Sequence, residues 1–305
     1  MDNGWVNYKD CVLNEEKLKE IADCEHIKMI EIKLSQGAKP GKGGILPGVK
    51  VTAEVAHIRG IPIGKDSISP NRHLDIGCVN EILDAVDRAR NIASKPVGIK
   101  FVVGDYEWIE KIFIEIHRRG IRSAPDFITI DSGDGGTGAA PMALLDNVGL
   151  PLKESLPVVA DLLIAYNLKD RVRLIASGKL ITPSDVAWAL CVGADFINSA
   201  RGFMFALGCI QVLKCQMNTC PTGIATHNPH LQKGLNPADK MVKVANYVKN
   251  LAHEVEVIAH SCGVHEPRLL KRHHMRIMQA NDVSIRFDKL YPYPDVKKEF
   301  LKQKK

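Results

Sequence analysis

Short apolar, β-branched runs alternate with amphipathic stretches of helical length from residue 28 onward. The runs predict five strands, at 28–35, 97–103, 126–131, 173–177 and 195–199. Apolar residues that recur at intervals of three and four predict helices at 80–93, 107–119, 156–166, 183–191 and 239–262. Strands and helices alternating in this way are typical of a parallel sheet. The pattern therefore predicts an α/β fold.

The number of βα units bears on the architecture. A closed (β/α)8 barrel takes roughly 250 residues, whereas the alternation here spans about 175 residues and gives five units. We expect a (β/α)8 TIM-type barrel that lacks its first strands, over residues 1–235, followed by a helical C-terminal segment and basic tail over 236–305. Such a barrel exposes two sheet edges and is expected to be poorly stable alone.

Composition excludes several classes of protein. Hydrophobic residues make up 45% and charged residues 25% of the 305 residues, which is ordinary for a globular protein. The net charge is +6, but residues 289–305 carry six lysines against two acidic residues, or +4, so we expect a solvated tail and no nucleic-acid partner. No run of 18 apolar residues and no leader pattern is present, which favours a cytoplasmic protein without a membrane partner.

Lysines and glycines mark the ends of the first two strands. Lys33 and Lys100 interrupt otherwise apolar runs, and a charge in a buried strand requires a partner of opposite charge. Residues 36–48, which follow the first strand, hold five glycines, two prolines and the lysines Lys39 and Lys42. Two such strand lysines favour a shared anionic or electron-rich ligand, although coincidence and a flexible surface loop remain open.

The later strands also end in glycine-rich or small polar residues. Residues 131–141 hold four glycines within six positions, which offers bare amides to carboxylate or phosphate oxygens. The spacing matches neither a dinucleotide fingerprint nor a Walker loop. Gly178 follows the fourth strand and Ala200, Arg201 and Gly202 follow the fifth, where barrel enzymes commonly hold a phosphate. These residues suggest a phosphorylated cofactor such as FMN, with plain βα turns as the alternative.

Cysteines cluster in residues 208–221. Cys209, Cys215 and Cys220 are separated by five and four residues, and Pro221 follows the last of them. The spacing does not match a zinc site, whereas a closing Cys-Pro is typical of iron-sulfur ligation. Three thiolates predict a cluster with three protein-bound irons. The remaining five cysteines are expected to be small buried hydrophobic residues.

Three stretches together resemble a known family. They are KLSQGAKPGKGGILPG, SGDGGTGAAP and CIQVLKCQMNTCPTGIAT, which begin at Lys33, Ser132 and Cys209. In order and spacing, residues 25 to 235 resemble the C-terminal two-thirds of the FMN-binding synthase domain of glutamate synthase.

The resemblance implies a (β/α)8 barrel with FMN and a 3Fe-4S cluster, which adds ammonia to 2-oxoglutarate and reduces the resulting 2-iminoglutarate to L-glutamate. It implies that Cys209, Cys215 and Cys220 hold the cluster. It further implies that the catalytic residues are Lys33, Gln36 and Lys39. The implied cofactor-binding residues are Lys33, Lys100, Gly133, Gly135, Gly136, Gly138, Gly178, Ala200, Arg201 and Gly202.

The sequence also departs from this family. No cysteine follows Met1, so no N-terminal glutaminase is expected, and the family's upstream Gly-Glu-Gly-Gly loop is not found. We expect a fragment or split gene product whose partners are an oxo acid, an electron donor (ferredoxin or an NAD(P)H-linked subunit) and a polypeptide that completes the barrel or supplies ammonia. Alternatives are an FMN and iron-sulfur oxidoreductase for another amine or oxo acid, and a truncated non-catalytic fragment.

Overall fold

A five-stranded parallel sheet forms the centre of the molecule. The computed structural model describes residues 13–301 except 70, 135 and 137. The strands are β1 (Ile30–Lys33), β2 (Ile45–Leu46), β3 (Ser67–Ile68), β4 (Val97–Val102), β5 (Phe127–Asp131), β6 (Arg173–Ser177), β7 (Phe196–Asn198), β8 (Arg276–Met278) and β9 (Ser284–Arg286). The sheet order is β1-β4-β5-β6-β7, and two antiparallel pairs, β2 with β3 and β8 with β9, stand apart from it.

Helices connect the strands of the sheet. They are α1 (Glu15–Asp23), α2 (Ala53–Arg59), α3 (Val79–Ala93), α4 (Glu107–Arg119), α5 (Leu152–Ala165), α6 (Pro183–Val192), α7 (Ala200–Ala206), α8 (Pro229–Gln232), α9 (Pro237–Ser261) and α10 (Phe287–Leu290). All five predicted sheet strands and all five predicted helices are present. Within the sheet, neighbouring strands follow one another in chain order, as the strands of a (β/α)8 barrel do, which confirms the predicted fold class. Among the described residues, β1 and β7 each pair with one strand.

Helix α5 begins four residues earlier than its hydrophobic pattern predicts. The Ser132 hydroxyl oxygen accepts a hydrogen bond from the Leu152 N–H at 2.9 Å, which satisfies one of the helix's first amides. Pro157 lies inside the helix and removes one intrahelical donor. This hydrogen bond to Ser132 is tertiary, so the local sequence does not reveal where the helix starts. Helix α6, by contrast, begins as predicted, since Thr182 and Asp185 form a capping box.

The two faces of the sheet differ in chemistry. Pairing places Ile99 of β4 beside Ile128 of β5 and Leu174 of β6, and all three belong to the core under the helices. The next row along the strands has Lys33, Lys100 and Thr129 in register. Because successive side chains of a strand point to opposite faces, this second row lies on the face away from the core cluster.

The C-terminal segment packs back onto the helices. Helix α9 packs on α6 and α7. The Arg272 side chain is fully buried and contacts the Asp161 carboxylate of α5, while its Nη1 donates to the Tyr291 carbonyl oxygen at 3.0 Å. Phe300 is 8% exposed and stacks on His117. The prediction of a solvated tail is therefore wrong at Phe300, whereas Tyr291 and Tyr293 are 44% and 46% exposed.

Two further observations complete the fold. Of the five other cysteines, Cys191 is buried, but Cys24 and Cys78 are exposed, so the prediction of burial is wrong for those two. Cys11 lies outside the described residues.

Within the described chain, no helix combines the length and the apolar character needed to span a membrane.

Candidate functional site

A pair of lysines lies on the polar face of the sheet. Lys33 ends β1 and is in register with Lys100 of β4. The Lys100 ammonium lies 4.0 Å from a Glu31 carboxylate oxygen, and the other oxygen of that carboxylate accepts a hydrogen bond from the Thr129 hydroxyl at 2.6 Å. The strand charges thus have partners on the same face, and the Glu31 carboxylate offsets part of the positive charge.

The pKa of Lys33 is lowered from its ordinary value near 10.5. Burial is the largest cause, and repulsion from the Lys100 and Lys39 ammonium groups adds to it. The carboxylates of Asp131 and Glu31 act in the opposite direction. A lysine with a lowered pKa gives up a proton more easily, so Lys33 is suited to proton exchange with a bound ligand.

Gln36 and Lys39 lie in the loop that follows β1. The Lys33 Nζ donates to the Gln36 side-chain carbonyl at 2.8 Å, which joins two of the three predicted catalytic residues. The Lys39 N–H bonds the Gln36 carbonyl oxygen at 3.3 Å in a turn. The Lys39 ammonium lies 3.9 Å from where a β-carbon on Gly44 would stand, so the loop folds back on itself.

Asp131 is a site residue that the sequence analysis did not select. It ends β5, its Oδ2 accepts the Gly37 N–H at 2.9 Å, and its Oδ1 lies 3.4 Å from the Ser177 hydroxyl. A β-carbon on Gly37 would lie 1.7 Å from the Ser132 carbonyl oxygen, so residues 36–48, the first-strand loop, are in direct contact with the end of β5. Its position at a strand end, directly before the glycine-rich loop, is the signal that could have identified Asp131.

The glycines of residues 131–141, the glycine loop, allow close approaches of backbone. A β-carbon on Gly133 would lie 2.0 Å from the Gly149 carbonyl oxygen, and one on Gly138 would lie 2.0 Å from that of Leu213. Gly136 has a positive φ of 105°, which disfavours other residues. Gly135 lies outside the described residues. Three of the four predicted glycines therefore pack the loop closely, and Gly138 places it against residues 208–221, the cysteine loop.

Gly178 and the start of α7 stand at the same edge of the sheet. A β-carbon on Gly178 would lie 2.2 Å from the Ser132 β-carbon, so Gly178 contacts the glycine loop directly. Ala200 is exposed, whereas Gly202 is buried against the Tyr247 hydroxyl. The structure thus brings Lys33, Gly178 and α7 to the carboxyl ends of parallel strands, where ligands of α/β folds bind.

Arg201 links two loops. Its Nη2 donates to the Gly136 carbonyl oxygen at 2.7 Å, and its Nη1 donates to the Gln211 side-chain oxygen at 2.8 Å. The guanidinium therefore connects the glycine loop to the cysteine loop. The family resemblance implies a phosphate contact for Arg201, and nothing in the sequence indicates this second role.

The cysteine loop presents three thiols with different exposure. Cys220 is 7% exposed, while Cys209 and Cys215 are half-buried. Across the described part of the chain, no three Cys, His, Asp or Glu side chains are grouped as metal ligands. The thiols lie in one loop that packs on the glycine loop, but they are not gathered around one point.

The surroundings of Cys220 favour a thiolate. Burial raises the pKa of the thiol, but hydrogen bonds from the Thr222 hydroxyl and from the N–H groups of Thr222, Ile224 and Ala225 outweigh burial and lower it. The Cys220 sulfur lies 3.3 Å from the Thr222 hydroxyl oxygen. Iron-sulfur ligands are thiolates that accept such hydrogen bonds, so the donor chemistry at Cys220 fits a cluster ligand.

Comparison with known proteins identifies the family. A family model for the conserved region in glutamate synthase matches residues 21–265. The chain is 42% identical over 275 residues to the glutamate synthase large subunit-like protein YerD of Bacillus subtilis, covering 90% of this chain and 52% of that protein. It is 35% identical over 259 residues to the archaeal glutamate synthase (NADPH) of Methanocaldococcus jannaschii, covering 81% and 48%. The chain therefore belongs to the glutamate synthase family.

The coverage of these relatives is partial. The chain spans about half the length of the curated relatives it matches. Among solved structures, a flavocytochrome b2 variant with benzoylformate aligns with a TM-score of 0.49 at 18% identity, covering 88% of this chain and 51% of that one. A lactate oxidase of Pediococcus acidilactici aligns with a TM-score of 0.47 at 16% identity, covering 90% and 57%.

Proposed function

We propose that the chain carries the flavin and iron-sulfur part of a glutamate synthase-type oxidoreductase, which reduces 2-iminoglutarate to L-glutamate with FMN and a 3Fe-4S cluster. The observation that carries this proposal is the contact of three loops at one edge of the sheet in a member of the glutamate synthase family. The first-strand loop, the glycine loop and the cysteine loop each hold residues suited to one part of that chemistry.

The lysines of the polar face support the flavin and substrate side of the proposal. FMN, when bound, supplies hydride transfer. Lys33 and Lys100 place positive charge on the face where a reduced, negatively charged ring would be stabilised. Gln36 holds the Lys33 ammonium, and the lowered pKa of Lys33 suits it to deliver a proton from Nζ to the substrate. Lys39 would bind a substrate carboxylate.

Backbone amides support the phosphate side. The N-cap residue of α7, Ser199, makes no side-chain cap hydrogen bond, and its hydroxyl donates to the Leu180 carbonyl oxygen at 2.5 Å. The first N–H groups of α7, at Ala200 to Gly202, together with that of Gly178, suit a phosphate. The glycines at 133, 135, 136 and 138 would let the ring and substrate approach the backbone. The Arg201 guanidinium already joins two loops, so we propose that Arg201 binds the phosphate through its backbone N–H.

The thiols support the cluster. Cys209, Cys215 and Cys220 supply three soft ligands, and the N–H groups around Cys220 favour its thiolate form. The contact between Gly138 and Leu213 puts the cysteine loop against the glycine loop, which suits electron transfer between a cluster and a flavin.

The remaining parts of the proposal concern partners and location. The substrate is 2-oxoglutarate or a related oxo acid, and the electron donor is ferredoxin or an NAD(P)H-linked subunit. A separate polypeptide completes the barrel of residues 1–235 or supplies ammonia. The C-terminal helical segment and basic tail, residues 236–305, form the second unit, and its helix α9 packs on α6. Reduced thiols suit a cytoplasmic protein.

Anaerobic reconstitution with FMN, iron and sulfide tests the proposal. We expect bound flavin and iron in the wild-type chain, loss of iron with retained flavin in Cys215→Ser, and at least tenfold weaker flavin binding in Lys100→Met. Cys78→Ser, which alters an exposed thiol outside the cysteine loop, is the matched control and should keep both the flavin and the iron. Unchanged iron content in Cys215→Ser would contradict the cluster. Ammonia-dependent conversion of another oxo acid to its amino acid, in preference to 2-oxoglutarate, would favour a different substrate.

A further inference from the structure

Lys50 is a half-buried lysine whose ammonium lies within the segment that carries Cys220. Its Nζ donates to the carbonyl oxygen of Cys215 at 2.6 Å and to that of Ala225 at 2.9 Å. These residues stand five positions before and five positions after Cys220. One ammonium therefore joins both ends of the segment in which Cys220 is central.

The backbone that presents Lys50 is held firmly. Residues Gly48–Lys50 form a 3-10 turn, and the Gly48 N–H donates to the Asp66 carboxylate at 2.6 Å. A β-carbon on Gly48 would lie 2.1 Å from the Gly64 carbonyl oxygen. Val51, the next residue, is 3% exposed. Lys50 thus extends from a packed turn to the cysteine segment and is well placed to fix its position.

The cysteine segment has hydrogen bonds of its own. The Thr226 hydroxyl donates to the Asn218 carbonyl oxygen at 2.6 Å, and the His227 N–H donates to the Asn218 side-chain oxygen at 2.7 Å. These bonds shape the segment internally. Lys50 adds a positive charge and connects the cysteine segment to the turn Gly48–Lys50, which begins at the end of the first-strand loop.

We propose that Lys50 is a positioning residue for the iron-sulfur cluster, an inference that rests on the proposed function. By holding the Cys215 and Ala225 carbonyls, it fixes the backbone on both sides of Cys220 so that the thiolates of Cys215 and Cys220 turn to the iron. Its positive charge next to the cluster stabilises the reduced form, which carries one more negative charge. Lys50 therefore raises the reduction potential of the cluster.

Three variants of the full chain test this role. Lys50→Met keeps the apolar stem and removes both donors and the charge, Lys50→Arg keeps donors and charge, and Lys65→Met removes a charge from an exposed position of the same region. After reconstitution, we expect Lys50→Met to bind less iron. We also expect its cluster to have a lower reduction potential, with the equilibrium between oxidised and reduced cluster shifted tenfold, which corresponds to about 59 mV for one electron. Lys50→Arg should stay close to wild type, as should Lys65→Met.

The opposing results are equally definite. Wild-type iron content and potential in Lys50→Met would overturn the inference. If Lys50→Met does not fold, Lys50→Gln, which keeps a donor and removes the charge, decides: a lowered potential supports the role and a wild-type value overturns it. If the wild-type chain takes up no iron, the cluster itself is refuted. Alkylation of Cys220 in the metal-free protein then tests the remaining part of the inference, that Lys50 holds the cysteine segment, with several-fold faster reaction in Lys50→Met supporting it and equal rates refuting it.

Discussion

The two faces of the sheet are built from alternate residues of the same strands, yet they have opposite character. On the helix-covered face, Ile128 and Leu174 are 0% exposed and Ile99 is 1% exposed. On the other face, Lys33 and Lys100 stand side by side in register. Apolar burial explains the first face as core. Two adjacent ammonium groups repel each other and lose hydration, so the second face is expected to contribute less to stability than the first.

The largest expected effect comes from damage to the helix-covered face. Ile128→Ala leaves a cavity in the fully buried core, and we expect it to lower the free energy of unfolding by about 3 kcal/mol. Urea denaturation followed by circular dichroism measures the change. Ile114→Ala, which truncates an isoleucine that is 50% exposed on α4, is the matched control with a much smaller loss. Equal losses in the two variants would mean that this face is not the main source of stability.

A smaller effect of opposite sign is expected on the polar face. Burial and repulsion from Lys100 lower the pKa of the Lys33 ammonium, which means that the folded protein disfavours this charge. Lys33→Met removes it, so at neutral pH we expect the free energy of unfolding to stay unchanged or to rise by less than about 1 kcal/mol. The unfolded chain binds more protons at Lys33 than the folded chain does between the lowered pKa and 10.5, so wild-type stability rises with pH across that window.

Denaturation at several pH values measures this difference. The advantage of Lys33→Met should shrink as the pH rises through the lowered pKa of Lys33 towards 10.5. Lys42→Met, which alters an exposed lysine of the first-strand loop, should show no such dependence. Loss of stability in Lys33→Met at neutral pH would show that the strand lysine contributes to the fold.

The sequence predicts the sheet and its helices well because their signals are local. Apolar, β-branched runs predict β1 and β4 to β7, and the capping residues Thr182 and Asp185 predict the start of α6. The two-residue strands β2 and β3 escape prediction, since they depend on pairing between distant residues. The start of α5 escapes for a similar reason, since it depends on the hydrogen bond that the Leu152 N–H donates to the distant Ser132 hydroxyl.

The candidate site is predicted in part. Glycines and strand lysines reveal which loops meet, because their chemistry is unusual for a strand or a turn. The contacts of Lys50 and Arg201 are not visible in the sequence, since both bind backbone carbonyl oxygens that every residue possesses. Asp131 is likewise recognised through its bond to the Gly37 N–H.

The central claim of the proposed function is that FMN binds at the carboxyl ends of the sheet strands and not at their amino ends. Hydrogen–deuterium exchange of the chain with and without excess FMN tests it most directly. We expect slower exchange in the loops that follow β1, β5, β6 and β7, with no change at the amino ends of the strands, in residues 120–126 and 168–172. Protection at those amino ends, or no protection in the four loops, would contradict it.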